Sequence, residues 1–230
     1  MRDRVLVTLA VLAGTPADAG LEAEAALGWE SSYISEGRKV REAGEGLYTA
    51  LLLLEEQAWS LEGWMGANPA ADFTETSLSL GRQLEFSAVS ARLGYTLVSV
   101  RTEGTSEPED HEAFLSLAVP LGEDVEAGLD LVYGHLSSGA YAEAFLAHAR
   151  PLTERLEMAV VAAVATDFGY ASEEGIHGLS HGRVGLEFTL VLSEHLQAFA
   201  FTSAILPLEG LRREDEHSTI YGGMSLRVSF

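Results

Sequence analysis

Residues Thr219 to Phe230 read TIYGGMSLRVSF. Ile220, Gly222, Met224, Leu226, Val228 and Phe230 fall on one face, and Tyr221, Gly223, Ser225, Arg227 and Ser229 on the other. A repeat of two is the periodicity of a strand with one apolar side and one wetter side. The apolar side ends on an aromatic residue. Such a strand exposes two edges of unpaired backbone groups, and closing a sheet on itself is the arrangement that leaves none.

The same pattern recurs along the chain. Leu21, Ala23, Ala25, Leu27 and Trp29 alternate with Glu22, Glu24, Ala26, Gly28 and Glu30. Further strands are expected at Gly46 to Glu56, Ala58 to Gly66, Phe73 to Gly81, about Ser87 to Arg101, and Glu112 to Val119. Others are expected at Val125 to His135, Tyr141 to Arg150, Leu156 to Thr166, Leu179 to Leu192, and Leu196 to Leu206. With the first and last, that makes an all-β chain of twelve strands, an even number as an up-and-down barrel of one chain requires. Ten strands would result if the second and third were one bent strand and another pair were overcounted. Polar segments such as Ser31 to Gly46, Thr102 to His111, Asp167 to Gly178 and Glu209 to Ser218 read as the longer loops. The remaining connections are short, including a turn at Arg82 to Phe86.

The N-terminus differs from the rest. Met1 to Arg4 is short and basic, Val5 to Ala13 is apolar, and Ala17-Asp18-Ala19 closes an Ala-x-Ala pattern. This is the layout of a secretory signal peptide, with cleavage expected after Ala19 and a single domain from Gly20 to Phe230. The apolar run is too short for a membrane-spanning helix. The chain has no cysteine, so disulfides and thiolate metal sites are excluded. Its formal charge is −21, from 35 acids against 14 Lys plus Arg, and such a surface repels nucleic acid.

An exported chain of alternating strands of about 9 to 11 residues fits a transmembrane barrel, because a tilted strand of that length crosses the hydrocarbon. The large apolar residues then face outer-membrane lipid. Trp29, Trp59, Tyr95 and Tyr133 lie toward strand ends, where aromatic girdles sit, while Tyr48 and Tyr141 fit either face. In the eleventh strand the residues carrying the apolar side are Phe199, Phe201 and Ile205. The terminal Phe230 resembles the assembly signal of bacterial outer-membrane barrels, which implies the barrel-assembly machinery as a partner. Short turns on the periplasmic side place both chain ends in the periplasm.

The wet faces line the lumen. They carry Glu22, Glu24, Glu62, Glu75, Glu112, Glu126, Asp130, Glu157 and Glu187 with Arg92, Arg183 and Arg227, while His148 and Arg150 are unassigned because parity in the eighth strand is mixed. Acids outnumber bases, so an open lumen would concentrate cations and discourage anions. Paired across the bore, the same residues would instead close it.

The segment Ser32-Tyr33-Ile34-Ser35-Glu36-Gly37-Arg38 resembles the aromatic, glycine and basic segment near the start of TorF-like porins of Gram-negative bacteria. Those proteins follow it with an alternating strand, a tight turn and a short strand rich in aromatics at its end. Gly46 to Glu56 and Ala58 to Gly66 are similar to that arrangement, and the likeness of organisation covers nearly all of Gly20 to Phe230. The resemblance implies an outer-membrane barrel of about this size with a role in transport.

The function these features imply is passive diffusion of small hydrophilic solutes, leaning toward cations. A structural or interaction barrel with a closed lumen is the alternative. A lipid-modifying enzyme is a weaker one. Ser180-His181 with Glu187, and His217-Ser218, are the residues that could suggest it, but neighbours on a strand point to opposite faces and no nucleophile-elbow pattern is present. His111, His177, His181 and His217 are dispersed loop or near-loop residues that with Asp110, Glu173, Glu174 and Asp215 could bind a metal ion at the outer rim, but their spacing matches no metal motif and none is assigned. No phosphate loop or dinucleotide motif occurs, no cofactor is implied, and nothing in the sequence sets an oligomeric state.

Overall fold

The computed structural model describes residues 20–171 and 177–230. The leader read over Met1 to Ala19 and the loop acids Glu173 and Glu174 lie outside the described residues. Twelve long strands run β1 Glu22–Ser32, β2 Glu45–Glu56, β3 Trp59–Asn68, β4 Phe73–Phe86, β5 Val89–Thr102 and β6 Asp110–Pro120. They continue as β7 Val125–Gly134, β8 Gly139–Pro151, β9 Leu156–Phe168, β10 His177–Val191, β11 Leu196–Pro207 and β12 Thr219–Ser229. Each pairs antiparallel with its sequence neighbours, and β1 pairs with β12 from Glu24↔Ser229 to Glu30↔Gly223. The sheet is therefore a closed up-and-down barrel of twelve strands. Closure leaves no edge, so every strand can satisfy its backbone within the ring.

The second and third strands are separate. A tight turn joins them, with Gln57 at φ 55°, and Glu56 pairs with Trp59. The segment Arg82 to Phe86 is strand rather than turn, and only Ser87 and Ala88 connect β4 to β5. The alternation continues through it: Gln83 pairs with Arg92 and Glu85 with Ser90 on the inner face, while Leu84 and Phe86 stay outside. The strands thus run past the hydrocarbon into the interface.

Connections at one end are short. At the other end lie the longer ones, including Tyr33 to Gly44 and Leu208 to Ser218, the latter carrying a short helix, α1 Glu209–Arg213. Trp29, Tyr48, Tyr95, Tyr133 and Phe168 are exposed on the outer wall near the long-loop end, and Trp59, Phe86 and Phe230 near the short-turn end. Between these two rings the outer wall is Leu, Val, Ala and Met. Tyr48 belongs to the outer ring, whereas Tyr141 is buried inside.

One face assignment fails. In β11 it is Ala198, Ala200, Thr202, Ala204 and Leu206 that face outward, while Phe199, Phe201 and Ile205 point into the barrel. The register fixes this, since Phe201 pairs with Glu187 and Gly223, both on the inner face. Phe199, Phe201 and Ile205 cluster there with Ile34, Leu211 and Tyr221. The aromatics pack against loop residues instead of lipid.

An arginine in place of the outward-facing Leu80 should cost about 2–4 kcal/mol. Reversible denaturant unfolding in liposomes should show this loss, and an unchanged midpoint would mean that Leu80 does not face lipid.

Candidate functional site: the barrel interior

The strand register puts Glu22, Glu24, Glu62, Glu75, Arg92, Glu112, Glu126, Asp130, Glu157, Arg183, Glu187 and Arg227 on the inner wall. Glu22 opposes Glu55 at the short-turn rim, and both are exposed there. Glu24, Glu126, Asp130 and Glu157 are half-buried, whereas Glu62, Glu75, Glu112, Arg183 and Glu187 are buried. The acids nearest the short-turn rim, Glu22, Glu24, Glu126 and Glu157, are thus the more exposed ones, while Glu62 and Glu187 a little deeper on the same side are buried.

The mixed parity of β8 resolves by the same register. Tyr141, Glu143, Phe145 and Ala147 face inward, and Leu146, His148 and Arg150 face outward, the last two near the short-turn end. Glu143 was not singled out from the sequence, yet it anchors the interior. Arg183 Nη2 donates to Glu143 Oε1 at 2.6 Å, and Tyr141 Oη donates to Glu143 Oε2 at 3.3 Å. A charged residue in mid-strand was the available signal, because only the inner face accommodates it. Arg92 makes the second inner pair, 3.7 Å from Glu62 Oε2, with a hydrogen bond to Ser60 Oγ at 3.1 Å. Its guanidinium lies over the Phe114 ring, 5.4 Å from the centroid.

The first long loop does what its polar sequence conceals. Tyr33, Ile34, Ser35, Glu36 and Gly37 are all buried. The segment folds into the mouth as a small hairpin, Ile34–Ser35 against Arg38–Lys39. Tyr33 Oη donates to Glu75 Oε1 at 3.0 Å. Ile34 enters the apolar cluster with Leu211 of α1. Gly37 is at φ 78° and lies directly on the His181 imidazole, where a Cβ would collide with the ring. Glycine is required there both for the left-handed backbone and for the approach.

Arg38 ties this loop down. Its Nε and Nη2 donate to Glu214 Oε2 and Oε1 at 2.7 and 3.1 Å, and Nη2 lies 3.1 Å from Asp167 Oδ2. Burial pulls the pKa of Arg38 down, but the Glu214 hydrogen bond and the Glu214, Asp167 and Glu36 carboxylates outweigh that and leave it raised. The forked pairing with Glu214 is the geometry that makes arginine bonds strong. Arg41 adds an exposed pair to Glu216 at 3.3 Å.

The Ser-His reading meets an unexpected geometry. A bulge in β10 lies where its pairing with β9 shifts between Val164 and Thr166, and it buries both Ser180 and His181. Ser180 Oγ lies 3.1 Å from His181 Nδ1. The expectation that adjacent side chains diverge fails because a bulge breaks the alternation. The carboxylate facing the imidazole is Glu143, 3.7 Å from Nε2, and not Glu187. Both residues are fully buried, His181 beneath Gly37 and Ser180 beside Gly210 of α1, so neither is open to lipid.

Of the other histidines, His111 Nδ1 bonds Tyr95 Oη at 2.8 Å near the long-loop end of β6 and its ring meets that of His135 edge-on at 6.5 Å, while His177 is exposed at the start of β10 and His217 on the last loop. Among the described residues no group of three metal-ligating side chains occurs.

Replacing Arg38 by alanine should free the first loop, at a cost of about 2 kcal/mol. Limited proteolysis of the reconstituted protein should then cut near residues 35–41 while wild type stays intact. Equal resistance of the two would show that Arg38 does not hold the loop.

No family model and no curated protein matches the sequence. Solved structures do. The chain is similar to the KdgM porin in complex with disordered oligogalacturonate, with a TM-score of 0.58 at 8% identity over 91% of this chain and 99% of that one. The NanC porin gives a TM-score of 0.55 at 9% identity, covering 90% and 98% of the two chains. LpxR from Salmonella typhimurium gives 0.53 at 9% identity, covering 89% and 99%. At these identities the likeness is one of fold, and the fold is that of a porin-like outer-membrane β-barrel.

Proposed function

We propose that this protein is an outer-membrane porin through which small hydrophilic solutes diffuse passively, with a preference for cations. The observation that carries the reading is the sign of the inner wall. Toward the short-turn end of the bore Glu22, Glu24, Glu126 and Glu157 face inward, with Asp130 deeper in and across from Glu143, and these acids outnumber Arg92 and Arg227 on the same wall. Fixed acids along a confined aqueous path raise the local cation concentration and oppose anions. The similarity of fold to the KdgM and NanC porins supports a channel. The resemblance of Ser32 to Arg38 to TorF-like porins agrees with it. KdgM was solved with oligogalacturonate, a polyanion, and an acid-lined bore would oppose such a solute.

The folded-in first loop supplies the constriction. In this reading the signal segment ending at Ala19 is removed, Phe230 is recognised by the barrel-assembly machinery, and the long loops face outward from the cell. The ends of the mature chain then lie in the periplasm. The alternative of a closed structural barrel is favoured by one specific observation: the Arg38 and Arg183 pairs lie where the loop fills the mouth, and the Arg92 pair adds a further tie nearer the short turns.

Single-channel recording in planar bilayers under a KCl gradient separates the two. The porin reading expects discrete steps and a reversal potential of cation-selective sign. Glu126→Gln, Asp130→Asn and Glu157→Gln together should bring that potential about halfway to zero. Salt near 1 M should weaken the selectivity, because the screening length falls to about 3 Å. An anion-selective sign would overturn the selectivity, and a stable inserted barrel without steps would favour the closed alternative.

A further inference from the structure

Two of the inner-wall arginines have carboxylate partners, Arg183 with Glu143 and Arg92 with Glu62. Arg227 differs. Among the described residues it has no hydrogen bond and no carboxylate at ion-pair distance, although the wall around it is rich in acids. Its guanidinium lies over the Phe199 ring, 4.7 Å from the centroid, which orients it without neutralising it. Arg227 acts electrostatically on Glu187, yet with no carboxylate bonded to it a guanidinium on the inner face can anchor one.

Arg227 borders a recess of about 70 Å³ that opens to the bore between β1, β2 and β3 on one side and β11 and β12 on the other. The apolar wall of the recess is Leu51, Trp64, Phe199 and Phe201, and Glu30 faces it from β1. Phe199 and Phe201, which pack against Ile34 and Leu211 in the loop cluster, also edge this recess. The recess has the room of roughly two waters. That suits an aliphatic side chain of a few carbons and not a sugar ring.

These features select one chemistry. A plain carboxylate would be repelled by the acid-lined approach. A plain amine would gain nothing from Arg227. A neutral polar solute would gain nothing from the apolar edge of the recess. A zwitterion with a short apolar side chain meets all three: its carboxylate at Arg227, its ammonium toward the acids of the inner wall, and its side chain against Leu51, Trp64, Phe199 and Phe201. We propose that this recess binds small apolar α-amino acids in their zwitterionic form as they pass through the barrel. The proposal rests on the porin reading for its role in passage. Binding must be weak for a solute that enters and leaves, so a dissociation constant on the order of millimolar is expected.

The test is equilibrium binding of L-valine to the full barrel in detergent, followed by saturation-transfer NMR or calorimetry. Saturable binding is expected. Glycine lacks the side chain, isobutylamine the carboxylate and isobutyrate the ammonium, and each should bind at least about tenfold more weakly. Arg227→Gln should weaken valine binding by a similar factor, with heat-modifiable gel migration confirming the folded barrel. Equal binding of valine and glycine, no saturable binding of valine, or a folded Arg227→Gln barrel that binds as wild type would each overturn the proposal. The wild-type ligand series decides the question even if the variant does not fold. Binding without conductance would sustain the site and defeat the porin reading. Conductance without valine binding would do the reverse.

Discussion

Ring closure between β1 and β12 is the constraint on which everything else rests. In hydrocarbon an unpaired backbone amide or carbonyl costs several kcal/mol, so an open sheet edge is not tolerated. The pairing from Glu24↔Ser229 to Glu30↔Gly223 removes the last edge. Once the ring closes, each strand has an inside and an outside, and a shift of one residue in any register would exchange them. The twelve strands hold their faces together through this coupling, and the placement of Glu126, Asp130 and Arg227 inside follows from it.

The interior is built in two parts with different physics. Toward the short-turn end, half-exposed acids line the rim and Arg92 pairs with Glu62 just inside it. Toward the long-loop end, the first loop brings Tyr33 into contact with Glu75 and Arg38 with Asp167 and Glu214, and a buried charge there survives because it is paired. Glu143 is the hub of this half, held by Arg183 and Tyr141 and facing His181. A small change at Arg38 or Gly37 would therefore be felt across three strands.

Much of this was legible in the sequence, and the parts that were not have a common cause. Alternation in β7 or β12 assigns faces without help, because charged and apolar residues separate cleanly there. In β11 the choice lies between Phe199 and Ala200, and apolarity alone favours the phenylalanines for lipid. What turns them inward is Ile34 and Leu211, which lie far away in sequence. The segment from Ser31 to Gly46 reads as a solvated loop because its serines, acids and glycines are polar, and its burial depends on Glu75, Asp167, His181 and Glu214 on four other segments. The contact between Ser180 and His181 needs a bulge, and no residue type announces one. Local period was readable; distant partners were not.

The absence of native cysteine makes one measurement unusually clean. Single cysteines placed at Glu126, Ala127, Leu129, Asp130 and Leu131 along β7, leaving Gly128 because a side chain there would meet the Phe145 ring, can be challenged with a charged, water-soluble thiol reagent in the reconstituted protein. The account predicts reaction at 126 and 130 and protection at 127, 129 and 131, the alternation of a strand. Reaction at the odd positions, or no alternation, would contradict both the face assignment and the aqueous interior that it implies.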